Sequence, residues 1–183
     1  MCVTPSARAD PIEANRAAPH ATAPRAGDGR WTLIPGVEIA IAKPIRTAAT
    51  LFSTATDLGL SASLARGSRW RLSLSLWYRR TLDPSPADGV SFFGGWVHPE
   101  VTFLGRIVGS VGVGWQLRHI DIEGASTTHG SLSAMGSVGV RFRPRSRVEL
   151  TALARYDFSQ PVAGEEFHAE YLSIALAVGL VPR

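Results

Sequence analysis

The stretch RWRLSLSLWYR, residues 69–79, places an apolar side chain at every second position from Trp70 to Tyr78. A period of two puts these residues on one face of a β-strand, whereas a helix would scatter them around its circumference. The apolar face begins and ends with an aromatic residue and has only leucine between, and the opposite face mixes serine with arginine. An aliphatic band flanked by aromatic residues and backed by a polar lumen is typical of a lipid-facing transmembrane strand.

The same alternation recurs along the chain and predicts eight strands. They span residues 31–42, 51–65, 69–79, 91–104, 106–119, 131–142, 147–158 and 171–180. The connections after the second, fourth and sixth strands are short, and the others, including residues 120–130, are longer. An up-and-down barrel with short periplasmic turns and longer extracellular loops requires this alternation, whereas a Greek-key sandwich does not. Pro35 and Pro99 lie inside strands and each predict a bulge, because proline cannot donate to the ladder.

The composition narrows the classes of protein that remain. The formal net charge is +4, but the arginines are spread over many segments and only Lys43 is lysine, which argues against a nucleic-acid partner. Apolar runs fall short of the ~18–20 residues of a membrane helix, so a membrane-spanning chain of this sequence must be a closed barrel. Cys2 is the only cysteine, so no disulfide or cysteine metal site is expected, and no cofactor is predicted.

The prediction for the first 30 residues differs from that for the rest. Residues 1–30 are rich in Ala, Pro and Arg without periodicity and predict a disordered leader or linker ahead of a barrel over residues 31–183. Ala7-Arg8-Ala9 has the shape of a signal-peptidase site, but no charged and apolar regions precede it. Location in the outer membrane therefore requires a signal peptide that this sequence does not contain.

The polar face of the strands separates a membrane barrel from the alternative, a soluble lipocalin-like barrel that binds an apolar ligand. This face is mostly Ser, Gly, Ala and Thr, small residues that suit the crowded lumen of a narrow barrel. Its ionisable residues carry both signs, which predicts a lumenal network of paired charges and a closed, non-conducting interior. The predicted network comprises Glu38, Asp57, Arg71, Glu100, Arg118, Arg141, Glu149 and Arg155.

The pattern predicts an all-β, eight-stranded, antiparallel, up-and-down transmembrane β-barrel, and it resembles the small outer-membrane barrels of the OmpA transmembrane domain and OmpX type. The resemblance is one of architecture and includes no specific sequence motif. It implies insertion by the barrel-assembly machinery into outer-membrane lipid and lipopolysaccharide, and a structural or surface-interaction role with an unidentified extracellular partner. One departure is the end of the chain, which lacks the terminal aromatic residue common in such barrels.

A lipid A modifying enzyme is the second alternative. His129 and Ser131 fall on one strand face with Glu123 in the same loop, and they resemble the His-x-Ser of the lipid A deacylase family. The surrounding residues do not follow that family, and loop polarity explains the three residues equally well. His98 and Glu100 face inward two residues apart, but no third metal ligand is evident, so a lumenal hydrogen-bond network is the favoured interpretation.

Overall fold

The computed structural model describes residues 31–50, 53–82, 89–122, 125–145, 147–160 and 168–182, and the leader predicted over residues 1–30 lies outside these ranges. This part of the chain forms eight strands and one short 3-10 helix, Arg46–Thr50. The strands are β1 (Trp31–Pro44), β2 (Ala55–Arg66), β3 (Trp70–Thr81), β4 (Gly89–Phe103), β5 (Ile107–Ile122), β6 (Ala125–Arg145), β7 (Val148–Ser159) and β8 (Ala169–Leu180). Among the described residues, no helix is long and apolar enough to cross a membrane.

Every strand pairs antiparallel with the next in sequence, and β1 pairs with β8 to close the sheet into a barrel. The closing ladder runs from Gly36 opposite Gly179 to Pro44 opposite Tyr171. The predicted eight-stranded up-and-down barrel is thus confirmed. The even strand count places Trp31 and Leu180 at one rim, together with the tight reversals that join β2 to β3, β4 to β5 and β6 to β7. This end of the barrel is called the short-turn rim below, and the other end the long-loop rim.

Two predicted boundaries at the long-loop rim are wrong. Residues 120–130 were expected to be a polar loop, but β5 continues to Ile122 and β6 begins at Ala125, so that the two strands form one long hairpin. Ile120, Thr127 and Thr128 favour strand, but the apolar alternation is limited to Ile120 and Ile122 and is too short to reveal the period in the sequence. β2 begins at Ala55 and not at residue 51, because the 3-10 helix occupies part of the preceding connection.

The bulges expected at Pro35 and Pro99 are also absent from the ladders. Pro35 pairs with Ala62 in unbroken register, and the ladder between β1 and β8 stops at the next residue, Gly36. Pro99 pairs with Leu72, and the register between β4 and β5 is the same before and after it, although pairing is interrupted there. The register shift that the described ladders contain lies between Phe142 and Arg145. Both prolines are therefore accommodated where a neighbouring ladder ends or is interrupted.

The alternating apolar residues that define each strand in the sequence face outward on all eight strands. On β3, Trp70, Leu72, Leu74, Leu76 and Tyr78 are between 42% and 59% exposed, while the intervening residues are buried or half-buried. Aromatic residues border the aliphatic band on both sides. Those at the short-turn rim are Trp31, Trp70, Phe103 and Phe142, and those toward the long-loop rim are Tyr78, Phe93, Trp115 and Tyr156. The two aromatic girdles mark the two interfaces of a bilayer.

The inward face combines large side chains with glycine positions at which even a Cβ atom would clash. A Cβ at Gly94 would lie 2.6 Å from the Trp77 side chain, and one at Gly139 would overlap the carbonyl oxygen of Ala152. In a narrow barrel the inward surface is strongly concave, so small residues are needed wherever a bulky neighbour or a backbone approaches. The small residues of the polar face thus make room for the tryptophans and arginines that lie in the interior.

Candidate functional site

Five arginines and five carboxylates line the interior of the described barrel. They are Arg71, Arg79, Arg118, Arg141 and Arg155, together with Glu38, Asp57, Glu100, Glu149 and Asp157. Nine of the ten are buried, and the side chain of the tenth, Glu38, is 16% exposed. Buried charges persist in proteins when they are paired and hydrogen-bonded, and here the two signs are present in equal number.

Arg79 is the central cation near the long-loop rim. Its Nε and Nη2 donate to the two carboxylate oxygens of Asp57 at 2.7 and 2.8 Å, and its Nη1 and Nη2 donate to Asp157 at 3.0 and 2.9 Å. The guanidinium carbon also lies 4.1 Å from the ring centroid of Tyr171, within the range of a cation–π interaction. The sequence places Asp157 among the inward-facing ionisable residues, but the eight-residue predicted network includes neither Asp157 nor Arg79, although both have the inward parity of their strands.

A second group lies at the middle of the barrel. Arg155 donates to Glu38 at 2.5 Å, and its guanidinium carbon lies 4.9 Å from the ring centroid of Trp96. Trp96 stacks on Trp77 with ring centroids 4.9 Å apart, and its Nε1 donates to Ser133 at 3.1 Å. The ion pair is thus covered on one side by aromatic surface, which excludes water and strengthens the electrostatic interaction.

The third group lies at the short-turn end. Arg71 donates through both terminal nitrogens to Glu149, at 2.5 and 2.7 Å, and its Nε lies 3.7 Å from Glu100. Arg141 donates to Glu100 and lies 3.0 Å from Glu149. Glu100 is therefore shared between two arginines and Glu149 among three, because Arg143 Nε also donates to Glu149 at 3.0 Å, and the result is a compact cluster of alternating charge.

Aromatic side chains and a small polar cavity occupy the remaining interior. Arg118 is fully buried, with its guanidinium carbon 5.6 Å from the ring centroid of Phe92. The cavity lies toward the short-turn rim and has a volume of about 60 Å³, which is space for a few water molecules. His98 borders it, and its Nε2 lies 3.1 Å from Ser75 Oγ. Within the described ranges, no cluster of three or more His, Cys, Asp or Glu side chains could hold a metal ion.

The residues of the enzymatic alternative are not assembled into a triad in the part of the chain that the structure describes. His129 and Ser131 share the inward face of β6, but Ser131 Oγ is buried and has no hydrogen-bond partner there, so it is not hydrogen-bonded to His129. Glu123 lies outside the described residues. A nucleophilic serine needs a base within hydrogen-bond reach, and the described residues supply none.

At the long-loop rim β6 extends past the end of its ladder with β7, while β5 stays paired with β4 as far as Asp121. β6 residues 125–132 pair with β5, and the ladder between β6 and β7 begins only at Ser133. This outer ribbon, residues 117–122 and 125–132, carries exposed hydroxyl side chains at Ser126, Thr127 and Thr128. The Nδ1 of His119 lies 2.9 Å from the hydroxyl oxygen of Thr128, which ties the two strands together at an exposed position.

Comparison with solved structures identifies the architecture. Neisserial surface protein A superposes with a TM-score of 0.60 and 17% sequence identity, over 81% of this chain and 98% of that one. Ail, the attachment invasion locus protein of Yersinia pestis, gives a TM-score of 0.51 at 13% identity, over 83% and 97% of the two chains. The outer membrane protein OprG from Pseudomonas aeruginosa gives 0.50 at 10% identity, over 82% and 93%.

These likenesses concern the fold alone, because the sequence identities are low. No protein-family model and no characterised protein matches the chain by sequence. These structural neighbours are outer-membrane proteins. Each of them matches this chain over nearly its own full length. The chain therefore has the fold of the small eight-stranded transmembrane β-barrels of bacterial outer membranes.

Proposed function

We propose that this protein is an integral outer-membrane barrel with a closed interior, which holds the outer ribbon at the cell surface for interaction with an extracellular partner. The observation that carries the proposal is the polarity of the barrel, which is apolar outside and charged inside. A soluble lipocalin-like barrel has the opposite arrangement, with its apolar face turned inward. Among the described residues, 32 large hydrophobic side chains are exposed. Exposure of so much apolar surface is unfavourable in water and favourable in lipid.

The orientation follows from the lengths of the connections. In outer-membrane barrels the short turns face the periplasm and the longer loops face outward. By this rule the short-turn rim is periplasmic, and the outer ribbon extends from the cell. The same proposal includes insertion by the barrel-assembly machinery. It also includes contact between the lipopolysaccharide of the outer leaflet and the aromatic girdle toward the long-loop rim.

The surface role is supported by the outer ribbon and by the neighbours. The ribbon carries exposed polar side chains, is bordered by β4 along residues 117–121, and has one strand edge, that of residues 125–131, without a described neighbouring strand. Such an edge offers backbone donors and acceptors to an extended segment of a partner. Two structural neighbours carry names that denote surface or attachment proteins, Neisserial surface protein A and the Yersinia pestis attachment invasion locus protein.

The closed interior is supported by its ion pairs and rings. The stacked Trp77 and Trp96, the ring of Tyr171 and the charge clusters above and below them occupy the interior, and the polar cavity near Glu149 has a volume of only about 60 Å³. Side chains fill the interior of barrels of eight strands, whereas a water-filled channel requires ~16. The barrel is thus proposed to act as an anchor and not as a porin.

Three measurements on the full chain test the proposal. Refolding in mild detergent should give a band that migrates differently before and after boiling, and monodisperse behaviour in plain buffer would contradict a membrane barrel. An epitope inserted between Ile122 and Ala125 should be labelled on intact cells, while the same epitope between Gly67 and Ser68 should require permeabilisation. Planar-bilayer recording should show no steady single-channel current, and large regular openings would instead indicate a porin.

A further inference from the structure

The short-turn rim gathers arginines that are far apart in the sequence. Its exposed arginines are Arg66, Arg69, Arg106, Arg143 and Arg147, contributed by all three tight reversals. The sequence shows them as scattered residues, but the barrel brings them to one edge just outside the girdle of Trp31, Trp70, Phe103 and Phe142. The Arg66 guanidinium carbon lies 5.8 Å from the ring centroid of Trp31.

Most of this positive charge has no carboxylate partner among the residues that the structure describes. Of the five arginines, Arg143 alone has a described carboxylate partner, Glu149 at 3.0 Å. At the long-loop rim the described residues include charges of both signs, such as Arg46 paired with Glu170 at 3.3 Å and Asp121 beside His119. The basic rim thus attracts anions from the membrane surface that it faces.

A crevice in this rim combines the charge with an apolar wall. It has a volume of about 510 Å³ and is lined by Ser68, Arg106 and Arg143 on its polar side and by Phe142 and Leu150 on its apolar side. Phe142 is 49% exposed on the outer surface of the barrel. The crevice therefore spans the boundary between the hydrocarbon band and the headgroup level that the aromatic girdle marks.

The shape and charge of the crevice define its ligand. Guanidinium groups match phosphate oxygens in bidentate geometry, and those of Arg106 and Arg143 line the crevice together with Arg141, which is paired with Glu100. A phosphate joined to acyl chains satisfies both sides of the site. We propose that the crevice binds the headgroup of an anionic phospholipid in the leaflet that faces the short turns. This inference rests on the proposed membrane orientation.

The test uses the full chain refolded into vesicles of phosphatidylcholine and phosphatidylglycerol and then extracted into mild detergent. Mass spectrometry of the intact complex counts the lipids of each kind that remain bound. The wild type should retain phosphatidylglycerol in preference to phosphatidylcholine. R106Q should reduce that preference roughly fivefold, and R106Q/R143Q should reduce it further, because each arginine near the surface contributes separately.

The matched control is R46Q/R80Q, which removes the same charge from the long-loop rim and should leave the preference unchanged. R143Q also removes the contact with Glu149, so R106Q, whose side chain has no ion pair among the described residues, reports on the site without that change. Equal retention of the two lipids, or an equal loss in the control, would overturn the proposal. Full displacement of phosphatidylglycerol by inorganic phosphate would also overturn it, in favour of a free-phosphate site. Migration before and after boiling is recorded on the same samples, so a failure of the barrel to insert is distinguished from a failure of lipid selection.

Discussion

Arg79 and Asp57 form a two-point ion pair across neighbouring strands, with Arg79 Nε 2.7 Å from Oδ1 and Nη2 2.8 Å from Oδ2. Asp157 approaches the same guanidinium from the opposite part of the barrel, so one cation serves two carboxylates. Removal of the cation and removal of one anion are therefore unequal changes.

The first prediction follows from this inequality. Arg79→Met leaves two buried carboxylates without their shared cation and should cost ~3–5 kcal/mol in the free energy of unfolding. Asp57→Asn leaves Arg79 paired with Asp157 and should cost about 1–3 kcal/mol. Urea titration of the protein folded in lipid vesicles measures both. Equal costs would show that Asp157 does not compensate for the loss of Asp57.

The second prediction concerns the lipid face. Leu74 lies midway along β3 on the outward face, so Leu74→Arg should cost ~2–4 kcal/mol in the free energy of unfolding in a bilayer. The matched control is Leu104→Arg, because Leu104 lies in the tight reversal between β4 and β5 and is 91% exposed. Near the interface the same substitution should cost about 0–1 kcal/mol. Similar costs at the two positions would contradict the assigned depth of Leu74.

The third prediction tests the concave wall through two glycines of β6. A methyl group at Gly139 would overlap the Ala152 carbonyl, and one at Gly136 would meet nothing within 4 Å. Gly139→Ala should therefore destabilise the barrel by ~1–3 kcal/mol, whereas Gly136→Ala should be neutral or slightly stabilising. Thermal unfolding in the same detergent compares the two variants. A neutral Gly139→Ala would mean that β7 moves away from β6 without cost.

The fourth prediction concerns the tip of the outer ribbon. Replacement of residues 121–126 by Asn-Gly joins Ile120 to Thr127, which already face each other, through a two-residue turn of the favoured type. The shortened protein should keep the band shift on boiling and most of its stability, because the removed segment contributes few contacts to the wall. It should weaken the proposed interaction at the cell surface, because Ser126 and part of the unpaired edge are removed while residues 127–131 remain. Failure of this variant to refold would show that the ribbon is part of the folding unit.

The sequence predicts the faces of the strands well because one variable, the alternation of apolar residues, determines them. Leu72 and Leu74 face outward and Ser73 faces inward for the same reason of parity. The ends of β5 and β6 were missed because Ile120 and Ile122 are followed by polar and small residues from 123 to 131, and one alternation is too short to reveal a period. The bulge prediction at the prolines failed for a different reason. Pro35 has no N–H to donate, but this matters only where a neighbouring strand would accept the hydrogen bond, and the ladder between β1 and β8 ends at Gly36.

The charged residues show the same division between local and global information. Parity places Glu38 and Arg155 in the interior, but their contact joins positions that are far apart in the chain and depends on barrel closure. Arg79 and Asp157 follow the same parity rule and could have been included in the network on that basis. The basic rim could have been predicted, because the predicted topology already places the three short turns at one end, but the scattered arginines were not grouped on that basis.

Closure of the barrel by β1 and β8 also constrains how the chain folds. The ladder from Gly36 and Gly179 to Pro44 and Tyr171 joins the first strand to the last, so it has the largest loop to close and forms only when the intervening hairpins are in place. Until then both terminal strands present open edges, which are templates for pairing with another chain. The vulnerable moment of this protein is therefore the interval before closure, when exposure to a second unclosed copy would lead to aggregation.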